Sequence, residues 1–390
     1  MGCEACQQIC PVGAITMKTD NEGFRYPDID MDKCIHCNLC QKVCPVTKNL
    51  FNDVEQVCWG GSHNSDDILN ESTSGGAFTA IATQFLVKEN SVVLGCAVSD
   101  DSCLEVEHVC IDDVSDLYKL RKSKYVQSHI NNAYKTIKTQ LKEGLNVLFS
   151  GTPCQVAALK SYLITTNTSM DNLLLVEVMC EGVPAPAFIE KYVDHLNETK
   201  QDEVTHFDWR YKNGRHWDFE FMNASFRSGN KYKIARWFNP FWNLWLRHLM
   251  TRPSCYNCPF ATSKRVADIT IADLWGVHIY CPELYKNNKG ASLVIGNSDK
   301  GIIFWDLAKV KCTGHTLDID DVIRYQGPMR GHIKPNPDRD EFMSDLTGSM
   351  SYKQIVDKWY DKPTPKLLFD KYVWGNRQKV ALWNLKHKKD

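Results

Sequence analysis

The sequence lacks several features that would place it in a common class of protein. No apolar run reaches the roughly 18 residues that a membrane-spanning helix needs, and the most aromatic stretch, residues 236–250, is interrupted by Asn, Pro, Arg and His. That stretch is interpreted as a buried helix or a partner-facing surface. Neither sign of charge dominates, with 46 basic and 47 acidic residues, so nucleic acid is not an expected partner. Because no secretory signal precedes the first cysteines, we expect a soluble, cytoplasmic protein.

Cysteine, by contrast, is abundant, with 17 in 390 residues. Eleven of them lie in CxxC-type groups or loop motifs, which in a reducing compartment favours metal over disulfides. The other six are scattered and are interpreted as small buried hydrophobic residues. These six are Cys58, Cys96, Cys103, Cys110, Cys281 and Cys312.

Residues 1–50 contain one cysteine loop twice, first as CxxCxxxCPVGAI and then as CxxCxxCxxxCPVTK. Bacterial ferredoxins bind 4Fe–4S clusters with the spacing CxxCxxCxxxCP, in which the fourth cysteine ligates the other cluster. Zinc also uses CxxC pairs, but not two triplet-plus-CP repeats. We therefore predict two clusters, one held by Cys10, Cys34, Cys37 and Cys40, the other by Cys3, Cys6 and Cys44.

The second of these clusters has only three cysteines, because the fourth would fall just before Met1. Three interpretations remain open. The favoured one is that the natural chain continues upstream with another cysteine. The cluster could instead contain three irons, or a group other than cysteine could complete it.

Between residues 74 and 198, predicted strands alternate with predicted helices, which indicates an α/β core with functional loops at strand ends. Residues 201–235 alternate in short stretches that are typical of a β-hairpin insert. The predicted helices are residues 74–89, 131–144, 153–164 and 185–198, and the predicted strands are 91–98, 145–151 and 172–180.

Four further cysteines lie on loops of this core. Cys154 follows a predicted strand at a helix start, Cys180 ends the next strand, and Cys255 and Cys258 form a CxxC. Together they could hold a third cluster. Taken alone, Cys154 could instead be a buried or nucleophilic thiol, since a helix start lowers a thiol pKa, and the CxxC could be a zinc or redox pair.

The motifs "STSGGAF", "RKSKYVQS", "SGTPCQ", "CYNCPF" and "ADITIADLWG", in this order, resemble the coenzyme F420 hydrogenase/dehydrogenase beta-subunit family. The similarity covers about residues 1–345, and the nearest branch carries an N-terminal dicluster ferredoxin domain. "NPDRDEF" at 336–342 resembles members encoded near polysaccharide pyruvyl transferases. The resemblance implies a flavin enzyme with FAD in the α/β region, and it favours the third cluster at Cys154, Cys180, Cys255 and Cys258.

The sequence has no GxGxxG, so FAD would need other backbone donors near its pyrophosphate. "TSGG" opens a helix whose N–H groups could hold phosphate, although it could be a plain helix cap. "KSKY" offers the ammonium group of Lys124. "SGTP" is a loop at the C-terminal end of a strand, where ligands bind in such sheets. We expect FAD contacts from Thr73, Ser74, Gly75, Gly76, Ser123, Lys124, Tyr125, Ser150, Gly151, Thr152, Pro153 and Asp273.

Other polar residues have weaker support. Asp268 could be a strand-end cap. Arg210, Lys212 and Trp217 could meet substrate, although we expect them to be exposed surface residues. No catalytic residue is assigned, because the candidate general acids have no supporting spacing. These candidates are His63, His129 and His216.

The predicted fold is an α/β core, FAD-binding, with a mixed sheet and flanking helices, behind a small α+β ferredoxin-like domain. The predicted regions are a dicluster domain at 1–50, a FAD region at 55–135, a region with the third cluster motif at 136–320 and an irregular helical extension at 321–390.

The favoured function is an iron–sulfur flavoprotein oxidoreductase that passes electrons between 4Fe–4S clusters and FAD to reduce or oxidise a small organic substrate, with an expected link to cell-surface polysaccharide biosynthesis. Its partner would be ferredoxin or another electron-transfer subunit. The alternatives are a non-catalytic electron-transfer subunit of a larger hydrogenase or dehydrogenase, or a deazaflavin oxidoreductase. A further hypothesis is that the chain is a zinc-stabilised binding protein with no redox role.

Overall fold

A computed structural model describes residues 1–100 and 102–386. The strands are β1 (Ile15–Thr19), β2 (Arg25–Ile29), β3 (Val57–His63), β4 (Ser91–Val98), β5 (Val106–Ile111), β6 (Asn146–Gly151), β7 (Leu173–Val178), β8 (Val204–Tyr211), β9 (Phe221–Phe226), β10 (Lys231–Ala235), β11 (Ile269–Asp273), β12 (Ser292–Gly296) and β13 (Cys312–Leu317).

Short helices surround these strands. They are α1 (Ala5–Ile9), α2 (Leu39–Lys42), α3 (Asp66–Asn70), α4 (Ala77–Leu86), α5 (Leu117–Leu120), α6 (Ala133–Lys142), α7 (Pro153–Thr165), α8 (Pro186–Lys200), α9 (Pro240–Leu246), α10 (Val277–Tyr280), α11 (Pro282–Tyr285), α12 (Asp299–Ala308), α13 (Ile319–Tyr325), α14 (Gly327–Arg330), α15 (Arg339–Thr347), α16 (Tyr352–Trp359), α17 (Pro365–Tyr372) and α18 (Asn376–Lys386).

The centre of the molecule is a mixed sheet whose order, within the described residues, is β13-β3-β12-β11-β7-β6-β4-β5. Strands β4, β6, β7 and β11 run parallel, and the outer strands on both sides pair antiparallel. Helices α4 and α12 pack on one face and α6 and α7 on the other. The mixed α/β core with flanking helices is confirmed. The carboxyl ends of the parallel strands meet at one edge, where ligands bind in such sheets.

The predicted elements between residues 91 and 198 coincide with β4, α6, β6, α7, β7 and α8 to within a few residues. Helix α7 shows why the match is close. Thr152 and Gln155 form a capping box, with Pro153 in the first turn. The helix predicted at 74–89 is shorter than expected, since α4 begins at Ala77 after Gly76, whose φ is +82°.

Residues 1–50 form the β1–β2 hairpin with short helices α1 and α2, which pack on each other. This segment is attached to the core rather than free. Ala5, Val43 and Leu50 are buried in the same cluster as the sheet side chains Val147 and Phe149.

The predicted hairpin insert is a separate three-stranded sheet in the order β10-β9-β8. It shares a hydrophobic core with α8, α9 and the C-terminal helices α15 and α16. Phe241, Trp242 and Trp245 of α9 are buried there. The aromatic stretch therefore contains a buried helix whose aromatic side chains are not available as a partner-facing surface, whereas Phe238, just before the helix, is 42% exposed.

The proposed division into four regions stays a prediction. Strands from both sides of residue 135 share the central sheet, since β3, β4 and β5 precede it and β6, β7 and β11 follow it. None of the described helices combines the length and the apolar character that crossing a bilayer requires.

Candidate metal and cofactor site

The structure brings the third cysteine group together at the carboxyl ends of β6 and β7. Cys154 lies in the first turn of α7 after β6, and Cys180 follows β7. Cys255 and Cys258 come from the loop that precedes β11. All four line one pocket, together with Thr152.

Two backbone contacts hold the CxxC loop against the loop that carries Cys180. The N–H of Arg252 donates to the carbonyl of Val183 at 3.0 Å, and Pro184 forms a bridge with Thr251. Gly182 has φ +104°, and a side chain there would lie 2.9 Å from Thr251 Cγ2. Its own N–H donates to Cys180 Sγ at 3.4 Å. Glycine at 182 therefore allows the two loops to approach closely.

The spacing of the four thiols argues against a single zinc ion. A tetrahedral zinc with 2.3 Å Zn–S bonds holds sulfur atoms about 3.8 Å apart. Among the residues that the structure describes, one group of three or more ligand types has all its donor atoms within 4.8 Å of one another, and it contains none of these four cysteines. Their wider spacing suits a larger group such as an iron–sulfur cluster.

Buried arginines lie around the same pocket. Arg252 and Arg265 both line it and are 2% exposed. Nε and Nη2 of Arg252 and Nη2 of Arg265 have no hydrogen-bond partner within the described part of the chain. Buried donors without protein partners indicate a place where an anionic group binds. Four thiolates and unpaired cationic donors fit an anionic iron–sulfur cluster.

The thiols of this region are shielded from water. Burial raises the pKa of Cys255 to about 11 and that of Cys3 to about 12, and it also raises the pKa of Cys180. Metal binding must therefore displace protons from these cysteines.

The ferredoxin-like segment adjoins this pocket directly. Met1 is part of the pocket lining, and its carbonyl accepts from Arg252 Nη1 at 2.6 Å. The Cys154 thiol is close enough to Cys3 to contribute to its raised pKa. Tyr134 Oη donates to the carbonyls of Cys3 at 3.0 Å and Gln155 at 3.2 Å, so it joins the two segments.

Within the ferredoxin-like segment, thiols from the two repeats lie near one another, but the structure does not sort them into the two predicted ligand sets. Cys6 lies close enough to Cys40 and Cys44 for both thiols to contribute to its pKa, which burial raises. The seven N-terminal cysteines remain predicted ligands. They are Cys3, Cys6, Cys10, Cys34, Cys37, Cys40 and Cys44.

The residues predicted to contact FAD fall into two neighbouring places. Thr152 and Pro153 line the cysteine pocket. Elsewhere, Thr73 Oγ1 accepts from the N–H of Ser123 at 3.0 Å, which joins two of the predicted loops. The carbonyl of Ser150 accepts from His108 at 3.1 Å.

Part of the expected phosphate cradle is already engaged. The N–H of Gly75 donates to Ser292 Oγ at 2.9 Å, and Ser74 Oγ donates to the carbonyl of Ala291 at 2.6 Å. Lys124 Nζ donates to the carbonyls of Cys96 and Arg121, both at 2.8 Å. These contacts order the loops, and their donors are not free for phosphate.

A buried polar cluster lies around Asp273 at the end of β11. Arg210 Nη1 donates to Asp273 Oδ2 at 2.8 Å, and the Tyr125 hydroxyl is close enough to contribute, with Asp273, to the raised pKa of Arg210. Arg210 Nη2 and Asp273 Oδ1 have no partner among residues 1–100 and 102–386. Glu181, which directly follows Cys180, is exposed beside this cluster; partial loss of solvation raises its pKa, and Arg236, Asp273 and Arg210 also act on it.

The expectation that Arg210, Lys212 and Trp217 are exposed was wrong for two of them. Arg210 is 6% exposed and Trp217 is 5% exposed, because the insert folds back over the end of the central sheet. Arg210 lies over the ring of Trp275, 5.5 Å from its centroid. Lys212 is partly buried and donates to the carbonyls of Leu69 and Ser74.

Several other candidates have structural contacts. Asp268 accepts from the N–H of Leu175 at 2.8 Å, as expected of a cap. His63 Nδ1 accepts from the N–H of Ser65. His216 bonds to Asp218 and to the carbonyl of Tyr285, and His129 contacts Arg25. No general acid is assigned.

Sequence reasoning missed Glu181, Glu220 and Arg252 as members of these sites. The signal that could have found Glu181 was its position next to Cys180 at a strand end. Nothing local marks Glu220, which ion-pairs with Arg210 and Arg236 across the insert.

Comparison with protein-family models decides the relationship. Residues 144–321 match the model for the C terminus of the coenzyme F420 hydrogenase/dehydrogenase beta chain, and residues 1–48 match that of the 4Fe-4S dicluster domain. Residues 144–321 therefore carry the C-terminal domain that this beta-subunit family model describes, behind a dicluster domain. The resemblance read from the sequence motifs is thereby confirmed, as is the N-terminal dicluster domain.

Two proteins from Methanosarcina species are similar to this chain. It is 21% identical over 224 residues to one of the subunits of F420H2 dehydrogenase from Methanosarcina mazei, across 55% of this chain and 62% of the relative. The chain thus spans about three-fifths of the length of that relative. The xenon-derivatised F420-reducing NiFe hydrogenase complex of Methanosarcina barkeri contains a chain with 18% identity and a TM-score of 0.47, covering 87% of this chain and 95% of that one.

Proposed function

We propose that this chain is an iron–sulfur electron-transfer subunit of a larger oxidoreductase. The observation that carries the proposal is the contact between the dicluster segment and the third cysteine pocket, where Met1 lines the pocket and its carbonyl accepts from Arg252, and where Cys154 is near enough to Cys3 to act on its pKa. A ferredoxin domain that is held at such a pocket is positioned to exchange electrons with it. The family match supports the same role.

The protein's own residues supply the binding and the environment. Cys154, Cys180, Cys255 and Cys258 would hold the third cluster, and a bound cluster carries one electron at a time. Arg252 and Arg265 place positive charge beside it, which compensates the thiolates. Apolar side chains that line the pocket, such as Phe260, limit the access of water.

The finer proposal is that FAD binds next to this pocket, around Tyr125, Arg210 and Asp273. The supporting observations are the unpaired Arg210 Nη2 and Asp273 Oδ1 and the position of Glu181 between this cluster and Cys180. A bound flavin exchanges two electrons with an organic molecule and single electrons with clusters. Arg210 would orient it, and the buried surroundings would exclude water.

A subunit role and an independent enzyme differ in one testable respect. An independent flavoenzyme purified without partners should contain flavin and reduce or oxidise an organic substrate. A subunit should instead bind a partner protein and transfer electrons only in its presence. The relative's name makes reduced coenzyme F420 the first donor to test. The link to surface polysaccharide and the cytoplasmic location stay predictions from the sequence.

The deciding experiment measures iron, zinc and flavin per chain after anaerobic purification. Three 4Fe–4S clusters correspond to about twelve irons. The double variant Cys255→Ser with Cys258→Ser should lose about four of them, whereas Cys110→Ser, at an exposed position outside the motifs, should lose none. An unchanged iron content in the double variant would contradict the proposed third cluster and the electron route through it.

A further inference from the structure

A second group of potential metal ligands lies away from the iron–sulfur motifs. It consists of Cys281, in the turn between α10 and α11, Glu283 of α11 and His315 of β13. The donor atoms of all three lie within 4.8 Å of one another. Cys281 Sγ donates to Glu283 Oε1 at 3.0 Å, and His315 Nε2 lies 3.9 Å from the same oxygen.

The fold explains why residues so far apart in sequence meet here. His315 pairs with Gly60 in the register between β13 and β3. A side chain at Gly60 would lie 2.8 Å from Leu274 and 3.3 Å from Leu284. Glycine at this position therefore lets Leu284 of α11 pack against β3, which brings Cys281 and Glu283 alongside His315.

We propose that Cys281, Glu283 and His315 bind a single zinc ion. The set offers one sulfur, one oxygen and one nitrogen, all of which zinc accepts. Cys281 is 4% exposed, whereas the side chains of Glu283 and His315 are 52% and 53% exposed. The ion would thus lie at the surface, with a buried thiolate behind it and water at a fourth position.

Zinc binding at this site changes no oxidation state, so it requires neither an oxidant nor a reductant. Zinc replaces the proton that Cys281 shares with Glu283, and that proton goes to solvent. The ion would join the α10–α11 turn to β13, the edge strand of the central sheet. This site is compact enough for one ion, whereas the third cysteine pocket is wider. We therefore expect zinc to bind here and the iron–sulfur cluster to bind in the cysteine pocket.

The first test is the zinc and iron content of the anaerobically purified chain from zinc-supplemented medium. We expect about one zinc per chain, lost in Cys281→Ser and in His315→Gln, with iron unchanged. The matched controls are Cys110→Ser and His206→Gln, which alter exposed residues outside the set. Because His315 is exposed, its variant should fold normally. Absence of zinc from the wild type, or equal zinc in all variants, would overturn the site.

The second test is X-ray absorption at the zinc edge of the iron-loaded protein. We expect one sulfur neighbour near 2.3 Å and nitrogen or oxygen neighbours near 2.0–2.2 Å. A shell of sulfur alone would place the zinc in the cysteine motifs and contradict the proposal. Titration with zinc chloride should show at least about tenfold weaker binding in Glu283→Gln, and equal affinity would exclude Glu283 as a ligand.

Discussion

Arg265 donates through Nε to the carboxylate of Glu177, and both side chains are almost completely buried. Glu177 lies on β7 and also accepts from Thr270 Oγ1 at 2.8 Å. The other end of the guanidinium donates to the carbonyls of Phe260 at 3.2 Å and Thr262 at 3.0 Å, just after the CxxC. The pair therefore fastens the cysteine loop to the strand that leads to Cys180.

Replacing Arg265 with Met should destabilise the protein strongly. The substitution leaves the Glu177 carboxylate buried without its counter-ion, and breaking one side of such a pair costs about 3–5 kcal/mol. Two loop carbonyls also lose their donor. We expect a lower melting temperature and loss of about four irons per chain, measured by thermal unfolding and iron analysis.

The double variant Arg265→Met with Glu177→Leu separates the two effects. Replacing both charges should recover much of the stability, because two apolar groups no longer leave an unpaired ion. The loop would still lack the donor for its carbonyls, so iron should remain low. If iron and stability recovered together, the arginine would act only as a counter-ion.

Glu4 should anchor the ferredoxin-like segment. It lies between Cys3 and Cys6, is 2% exposed, and accepts from the N–H groups of Ile130 at 3.2 Å and Asn131 at 3.1 Å. It also pairs with Arg25 on the β1–β2 hairpin. Glu4→Ala removes the acceptor of three donors, of which the N–H of the fully buried Ile130 would be left unpaired at a cost of about 1–3 kcal/mol.

We therefore expect Glu4→Ala to expose the segment to limited proteolysis and to lower the iron content by up to about eight atoms, those of two 4Fe–4S clusters. Glu4→Gln keeps an acceptor for the backbone and should show a smaller effect. Glu55→Ala, at an exposed position, is the control. A proteolysis pattern of Glu4→Ala that matches the wild type would show that other contacts hold the segment.

Arg210→Lys tests the flavin site without removing charge. The lysine cannot reproduce the fork that contacts Asp273 and Glu220. We expect flavin affinity to fall at least about tenfold, with iron content unchanged. Arg227→Lys, which alters an exposed pair with Glu203, is the matched control. Equal flavin content in both variants would place the flavin elsewhere or nowhere.

Six of the elements between residues 91 and 198 were predictable because each one is encoded locally, whereas β5 and α5 were not predicted. Val93 and Leu148 are buried strand residues, and Ile137 lies on the apolar face of an amphipathic helix. The cysteines predicted to be ligands were also visible, since metal chemistry requires a fixed residue type at a fixed spacing. Tertiary contacts between distant segments have no comparable local pattern in the sequence.

The zinc site illustrates this limit. Cys281 was interpreted as a buried small hydrophobic residue, and it is indeed buried. Its two neighbours in the site became apparent only when β13 was paired with β3. The same interpretation was wrong for Cys110, which is exposed on β5, the edge strand at the opposite end of the sheet from β13.

Lys212 should give the protein a distinct pH dependence. Burial lowers its pKa from 10.5 to about 7, while Asp273 acts in the opposite direction. Between these two values the unfolded chain binds a proton that the folded chain does not, so this residue makes stability rise with pH. Below pH 7 both states are protonated, and the folded state carries the full cost of the buried charge.

Lys212→Met removes this contribution. The free energy of unfolding of the wild type, relative to that of the variant, should therefore increase between pH 7 and pH 9 by no more than about 1.4 kcal/mol per pH unit. The melting temperature of the wild type, relative to that of the variant, should rise over the same range. Lys231→Met, at an exposed position on β10, should track the wild type across the range. A constant difference between the wild type and Lys212→Met would mean that Lys212 remains protonated in the fold, held by the carbonyls of Leu69 and Ser74.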